Sequence, residues 1–314
     1  YFEAESSIKG FFGFGQAFID VGWGGSGEST CDQFPEGQAD YGDAPCKNVD
    51  KGISEDGHVG RVNLTWKASD ESIIYATWSQ GYRPGGINRN PIIADYHSDF
   101  LTNWEAGWKS QWLDNTLQFN GAVFLEKWDD FQVAFAGDNG ITQVNNGHSA
   151  EVKGTEMQLL WSATDKLILS AAAAYYDTEL TEDYFDFDGN VVAPKGTPLP
   201  LTPDFKANVI ARYTFELGGL DAHLQSAIVY EGSRSTDINV SFNDIKGDTP
   251  SYTSVDLSAG VEKDSYSVEL YVKNATNADA PLFQIGECSP DTCVQNYGVR
   301  LQPRTIGIRF SQDF

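Results

Sequence analysis

The sequence predicts an all-β fold, an antiparallel transmembrane β-barrel, on three observations. Apolar and polar residues alternate in segment after segment, the period of a strand with one face in an apolar medium. The connections between these segments alternate between tight turns and long loops. No run of 18 apolar residues is present to form a transmembrane helix. A tilted strand crosses a bilayer in about 9–11 residues, and its lipid face is diluted by the polar residues between. A mean hydropathy of −0.36 is therefore compatible with a membrane chain.

Taken in order, residues 10–19 (Gly10-Phe-Phe-Gly-Phe-Gly-Gln-Ala-Phe-Ile19) are expected to form a strand, and 21–58 a long Gly/Asp/Pro-rich loop. Clear alternation starts with Val62, Leu64 and Trp66, which turn at Ser69-Asp70-Glu71 into a strand over 73–82. Trp104, Ala106, Trp108 and Trp112 mark the next strand, which turns at Asp114-Asn115 into 117–127. Further hairpins are read at 154–163 with 167–177, 205–216 with 222–231, and 252–262 with 266–273. Their turns carry Asp, Gly and Lys where hairpins need them. The closing segment, 304–314, sets Ile306, Ile308, Phe310 and Phe314 against Thr305, Gly307, Arg309, Ser311 and Asp313.

Short turns lie within each pair, and long loops fall at roughly 83–100, 128–152, 179–203, 232–251 and 275–303. A β-sandwich gives no reason for every second connection to be long, whereas an outer-membrane barrel has short periplasmic turns and long extracellular loops. The count comes to about twelve strands. In the clearest strands Lys206, Arg212, Asp256, Glu269 and Arg309 all fall on the parity opposite the apolar residues. That is required where a mid-membrane Arg or Lys costs on the order of 2–4 kcal/mol. Eight Trp and fourteen Tyr are enough to furnish girdles at both interfaces.

The net charge of −24 repels phosphates and excludes nucleic acid as a partner. Adjacent carboxylates such as Asp129-Asp130 are read as solvated loop acids, because no nucleophile, base or phosphate-binding motif accompanies them. A non-enzyme without cofactor or bound metal is expected. Cys31 and Cys46, and Cys288 and Cys293, form two sequence-local pairs without metal-ligand spacing. They read as two loop disulfides of an oxidising compartment, with other connectivities left open.

Several stretches together resemble the C-terminal barrel of TonB-dependent outer-membrane receptors. They are Tyr75-Ala-Thr-Trp-Ser-Gln-Gly-Tyr-Arg-Pro-Gly-Gly86, Asn103-Trp-Glu-Ala-Gly-Trp-Lys109, Lys153-Gly-Thr-Glu-Met157, Val272-Lys-Asn-Ala-Thr-Asn277 and Pro303-Arg-Thr-Ile-Gly through Phe314. The resemblance runs from about residue 57 to the end. It implies residues 1–314 are part of a 22-stranded plugged barrel, its C-terminal half, with long extracellular loops and the plug domain outside this chain. A complete smaller barrel is the other reading, and the order of the motifs favours the first.

The implied function is energy-coupled uptake of an iron–siderophore or another nutrient such as a carbohydrate. The partners are then the TonB system acting through the plug, outer-membrane lipid and a small extracellular ligand. The alternatives are a passive porin or adhesin barrel, and a secreted carbohydrate-binding β-protein. The terminal Phe314 resembles the signal read by the outer-membrane assembly machinery. Candidate ligand contacts are Arg83 and Arg234, just above strand ends, with Tyr82, Tyr96 and Trp128 from neighbouring loops. The competing reading is that both arginines pair with loop carboxylates.

Overall fold

The computed structural model describes residues 1–10, 47, 49–89, 93–136, 142–147, 149–185, 189–285 and 297–312. Among the described residues it is all-β apart from one short helix, α1 (Val240–Lys246). The strands are β1 (Phe2–Gly10), β2 (Val49–Gly57), β3 (Arg61–Lys67), β4 (Ser72–Arg83), β5 (Asp99–Trp112) and β6 (Leu117–Asp129). Then come β7 (Gln132–Ala136), β8 (Thr142–Asn146), β9 (Ser149–Thr164), β10 (Leu167–Leu180), β11 (Tyr184–Phe185) and β12 (Val191–Ala193). The remainder are β13 (Phe205–Leu217), β14 (Leu220–Glu231), β15 (Tyr252–Lys263), β16 (Tyr266–Lys273), β17 (Pro281–Ile285), β18 (Tyr297–Arg300) and β19 (Thr305–Gln312).

Eleven strands form one sheet, in the order β19-β16-β15-β14-β13-β10-β9-β6-β5-β4-β3. Apart from the small strands in the long connections, this is sequence order, a meander of hairpins, as the turn pattern predicts. The turns have the backbone their residues favour. Between β13 and β14 only Gly218 and Gly219 intervene, both at positive φ (62° and 79°), the requirement of a two-residue hairpin turn that follows strand twist. The β9–β10 turn is fastened by Thr164, whose hydroxyl oxygen accepts the N–H groups of Lys166 (3.2 Å) and Leu167 (3.0 Å).

The chain divides into two compact units. The second, made of Val62–Trp78, Asn103–Glu126 and Glu151–Phe314, carries the body of the sheet. Its register fixes the two faces. Leu167, Tyr213, Leu224, Ala259, Leu270 and Ile308 lie side by side across six strands. All but Leu167 and Ala259 are large apolar side chains left exposed, Ile308 at 73%. One residue along, the row reads Thr214, His223, Gly260, Glu269, Arg309. There the Glu269 carboxylate lies 3.3 Å from His223 Nε2 and 3.1 Å from Arg309 Nη1. A Cβ on Gly260 would lie 2.4 Å from the His223 ring, so the glycine makes room for that ring. Apolar residues are outside and charges are together on the other face, the reverse of a water-soluble sandwich and the arrangement of a membrane barrel wall.

The first unit, made of Tyr1–Arg61, Ser79–Thr102 and Lys127–Ala150, departs from the sequence reading. A strand not expected from the sequence runs over Phe2–Gly10, and of the strand expected at 10–19 all but Gly10 lies outside the described residues. The expected loop 21–58 contains β2, which pairs with β1 antiparallel from Phe2↔Gly57 to Gly10↔Val49. β2 reads Val-Asp-Lys-Gly-Ile-Ser-Glu-Asp-Gly. With apolar residues only at Val49 and Ile53, it carries almost no hydrophobic period. Long connections also contain the small antiparallel pairs β7–β8, β11–β12 and β17–β18, too short for a periodic signal.

The register makes parity testable. Leu257 lies on the exposed apolar face and Ser258 on the polar one, between Gln225 and Tyr271. Leu257→Arg is expected to reduce folded, heat-modifiable barrel in cells, at a cost of about 2–4 kcal/mol. Ser258→Arg should leave it near wild type. Equal levels of the two variants, read by gel mobility with and without heating, would reverse the assignment of faces.

Candidate functional site

Four of the five residues nominated from sequence, Tyr82, Arg83, Tyr96 and Trp128, fall in the first unit. Arg83 closes β4, and Asp99 opens β5. Asp99 is only 1% exposed, and its carboxylate accepts hydrogen bonds from Arg83 Nε (2.9 Å), Arg83 Nη2, the Arg83 N–H (3.3 Å) and the Gln132 N–H (3.0 Å). Arg83 Nη2 also donates to the Gln132 carbonyl (3.2 Å). The guanidinium carbon stands 4.9 Å from the centroid of the Trp128 ring, within cation–π range. These contacts use Nε and Nη2. The Nη1 edge takes no part in them, and the Arg83 side chain is 48% exposed.

The connection from Pro84 to Ser98 is held by side chains acting on backbone. The Glu55 carboxylate, on β2, accepts the Gly85 N–H (2.8 Å), the Ser98 N–H (2.9 Å) and the Ser98 hydroxyl (2.7 Å). Four residues earlier on the same strand, Lys51 donates to the Ile93 carbonyl (2.6 Å) and to Asp95 (3.0 Å). Asn88, nearly fully buried, donates to the carbonyls of Ala94 and Val144 and accepts the Val144 N–H. Gln132 Nε2 donates to the carbonyls of Pro84 (2.9 Å) and His97 (3.0 Å). Backbone groups are thereby satisfied without regular structure.

Tyr96 and Gly86 exchange backbone hydrogen bonds (2.9 and 3.1 Å). The Tyr96 ring covers Gly86 so closely that a Cβ there would lie 2.3 Å from its hydroxyl. Tyr82 stacks on Phe2 with ring centroids 3.5 Å apart and lies 6.4 Å from Phe100. Of the aromatics nominated for ligand stacking, Tyr82 and Tyr96 are thus engaged in the packing of the unit, while Trp128 backs the Arg83 guanidinium.

Electrostatics favour the ionised Glu55. Burial pushes its carboxyl up, but the Ser98 hydroxyl, the Ser98 N–H and the Gly85 N–H together bring it below the ordinary glutamate value. The stabilisation from these contacts is present above that ordinary value. It is lost as pH falls through the lowered one.

Arg234, in the second unit, is only 9% exposed. Its Nη1 lies 2.9 Å from Glu231, and its Nη2 donates to the Leu282 carbonyl at 2.7 Å. Its backbone bridges to Thr249. The other Glu231 oxygen accepts the Tyr252 hydroxyl at 2.6 Å. On the polar face of the same unit lies a recess of about 480 Å³, lined among others by Tyr75, Lys109, Asn120, Glu156, Lys206 and Glu231. Among the described residues no group of three or more His, Cys, Asp or Glu is placed to hold a metal. Cys31, Cys46, Cys288, Cys293 and Phe314 lie outside the described residues.

The sequence matches the family model described as "TonB dependent receptor-like, beta-barrel" over residues 31–275. It is 28% identical over 200 residues to the metal-pseudopaline receptor of Pseudomonas aeruginosa, covering 63% of this chain and 26% of that protein. It is 24% identical over 277 residues to the pesticin receptor of Yersinia pestis, covering 84% of this chain and 37% of that one. Among solved structures it resembles the ferric yersiniabactin uptake receptor of Yersinia pestis, with a TM-score of 0.66 and 17% identity over 85% of this chain and 38% of the other. The siderophore receptor PiuA of Acinetobacter baumannii gives 0.65 and 20%, over 83% and 37%. At such identities the structural likeness shows the fold alone. The chain spans roughly a quarter to two-fifths of the length of these relatives.

The packing around the loop entry gives a local prediction. A Cβ on Gly85 would meet the Tyr96 carbonyl at 2.5 Å and Glu55 Oε2 at 2.7 Å, while one on Gly81 meets nothing within 4 Å. Gly85→Ala should destabilise the loop by about 1–3 kcal/mol, as overpacking does. Gly81→Ala should be close to neutral there. Hydrogen exchange at the Gly86 and Tyr96 amides distinguishes them, and equal protection in the two variants would contradict the packing.

Proposed function

The chain belongs to the TonB-dependent receptor-like β-barrel family, and from that premise we propose that it is the outer-membrane barrel portion of a receptor that captures a small metal chelate outside the cell and imports it. It is an outer-membrane β-barrel chain of the Gram-negative type. The observation that carries the cargo is the chemistry shared by the relatives' names: metal-pseudopaline, ferric yersiniabactin and siderophore. A metal chelate is therefore favoured over a carbohydrate. In this reading coupling to TonB runs through a plug domain encoded outside these 314 residues. The test is uptake of radiolabelled iron and copper chelates by host cells with and without the gene, and with and without TonB. Uptake that needs the gene but not TonB supports a passive pore instead.

Arg83 is the ligand contact this reading selects. Its guanidinium is oriented by Asp99 and Gln132 and backed by Trp128, with the Nη1 edge outside that set. It can donate to an anionic oxygen on a chelate without first being ordered. A charge-assisted hydrogen bond there contributes about 1.5–3 kcal/mol. Arg83→Ala is expected to weaken chelate binding about tenfold or more while the barrel stays folded. Arg83→Lys should not restore it, because an ammonium cannot hold Asp99 through two nitrogens and stack on Trp128 together. Wild-type affinity in both variants would leave Arg83 a purely structural role.

A further inference from the structure

We propose that Glu55 is a positioning residue, a carboxylate latch that joins the two ends of the 84–98 loop and through them sets the Arg83 guanidinium. One oxygen accepts the Gly85 N–H and the Ser98 hydroxyl, and the other accepts the Ser98 N–H. Gly85 lies two residues after Arg83, and Ser98 immediately precedes Asp99, the counter-ion of Arg83. The carboxylate therefore clasps loop entry and loop exit at the positions that flank the Arg83–Asp99 pair. Gly85 has the one side chain compatible with this approach, since a Cβ would lie 2.7 Å from the Glu55 oxygen.

The latch depends on a carboxylate rather than on shape. Two backbone N–H donors approach its two different oxygens. A glutamine in the same place must turn its amide NH2 toward one of them in either orientation, leaving a donor facing a donor. The charged groups on the packed elements are accounted for. His97 Nδ1 stands 3.5 Å from Glu55, Lys51 is engaged with Asp95, and Arg83 is engaged with Asp99. Three donors to one ionised, partly buried acceptor form a charge-assisted set, and a neutral acid cannot accept all of them equally.

The link to ligand binding rests on the reading of Arg83 given above; the latch itself does not. The test is hydrogen exchange on the whole receptor in nanodiscs, corrected for intrinsic rates. In Glu55→Gln and Glu55→Ala, amides over 83–89 and 93–98 should exchange at least tenfold faster, with those of β14–β16 unchanged. In wild type, protection of the same loop should fall as pH drops below the ordinary carboxylate range, and Glu55→Gln should lack that step. If Glu55→Gln does not assemble, Ser98→Ala, which removes only one of the three donors, and the wild-type pH step still read the latch. Unchanged loop protection in Glu55→Gln, or a wild-type profile without the step, overturns the proposal.

The second arm is binding of ferric citrate, a ferric trishydroxamate and a ferric tricatecholate. For any probe that binds, Glu55→Gln should weaken it several-fold in wild type and have no further effect on the Arg83→Ala background. Full additivity of the two substitutions overturns the coupling through Arg83. If none of the probes binds wild type, these three chelate classes are excluded as cargo, and the exchange result decides the latch alone.

Discussion

In hydrocarbon a backbone N–H or C=O has no water to turn to, so every spanning segment must find its partners in a neighbouring backbone. The antiparallel ladder meets that demand without any help from side chains, and the rest of this chain follows from it. Sequential hairpins are the simplest way to supply the next partner, hence the meander from β3 to β19. Because the ladder leaves side chains free, each strand can place one parity in lipid and the other away from it. Leu224, Leu270 and Ile308 share one row, while Glu269 and Arg309 share the next. That division is how a chain with a net charge of −24 and a negative mean hydropathy crosses a membrane.

Beyond the regular ladder the same polar groups still need partners, and the first unit supplies them differently. Glu55, Asp99, Asn88, Gln132 and Asn146 are side chains doing what a neighbouring strand does elsewhere. Asn146, for example, accepts the His97 N–H and donates to the carbonyls of His97 and Asp130. Such contacts are directional and mutually dependent. Removing one acceptor leaves several donors unsatisfied, which costs more than the mean hydrogen bond contributes. A loop built this way presents its exposed groups in fixed positions rather than as an ensemble.

This difference also decides what could be read in the sequence. The large sheet was legible because alternation and turn chemistry are local signals. Val62, Leu64 and Trp66, or Gly218-Gly219, announce themselves within a few residues. β2 was not legible, since a strand with apolar residues only at Val49 and Ile53, held also by Lys51 and Glu55, has no period to detect. The Glu55–Ser98 and Asp99–Gln132 contacts span 43 and 33 residues, and nothing in either neighbourhood points to the other. Arg83 was visible from its place at the end of β4 and before Pro84-Gly85-Gly86. Its counter-ion was not.

The two arginines that looked equivalent in sequence show why pairing with a carboxylate does not by itself settle a role. Arg234 is enclosed, and truncating it would take the guanidinium from the partly buried Glu231 carboxylate and from the Leu282 carbonyl. Breaking a buried pair in this way is costly wherever it occurs, so a loss of binding there would report the loop's integrity. Arg83 is paired too, but about half of its side chain remains exposed. Asp99 compensates much of its charge, which lowers the long-range pull on an anion. What remains is direction: a planar donor edge held by Asp99 and Gln132 on one side and by the Trp128 face on another. In the proposed role of Arg83, a ligand oxygen meeting that edge would avoid the ordering cost that a free surface arginine carries, and selectivity would rest on geometry more than on net charge. A strongly acidic chain can therefore offer a site for an anionic chelate without a basic patch.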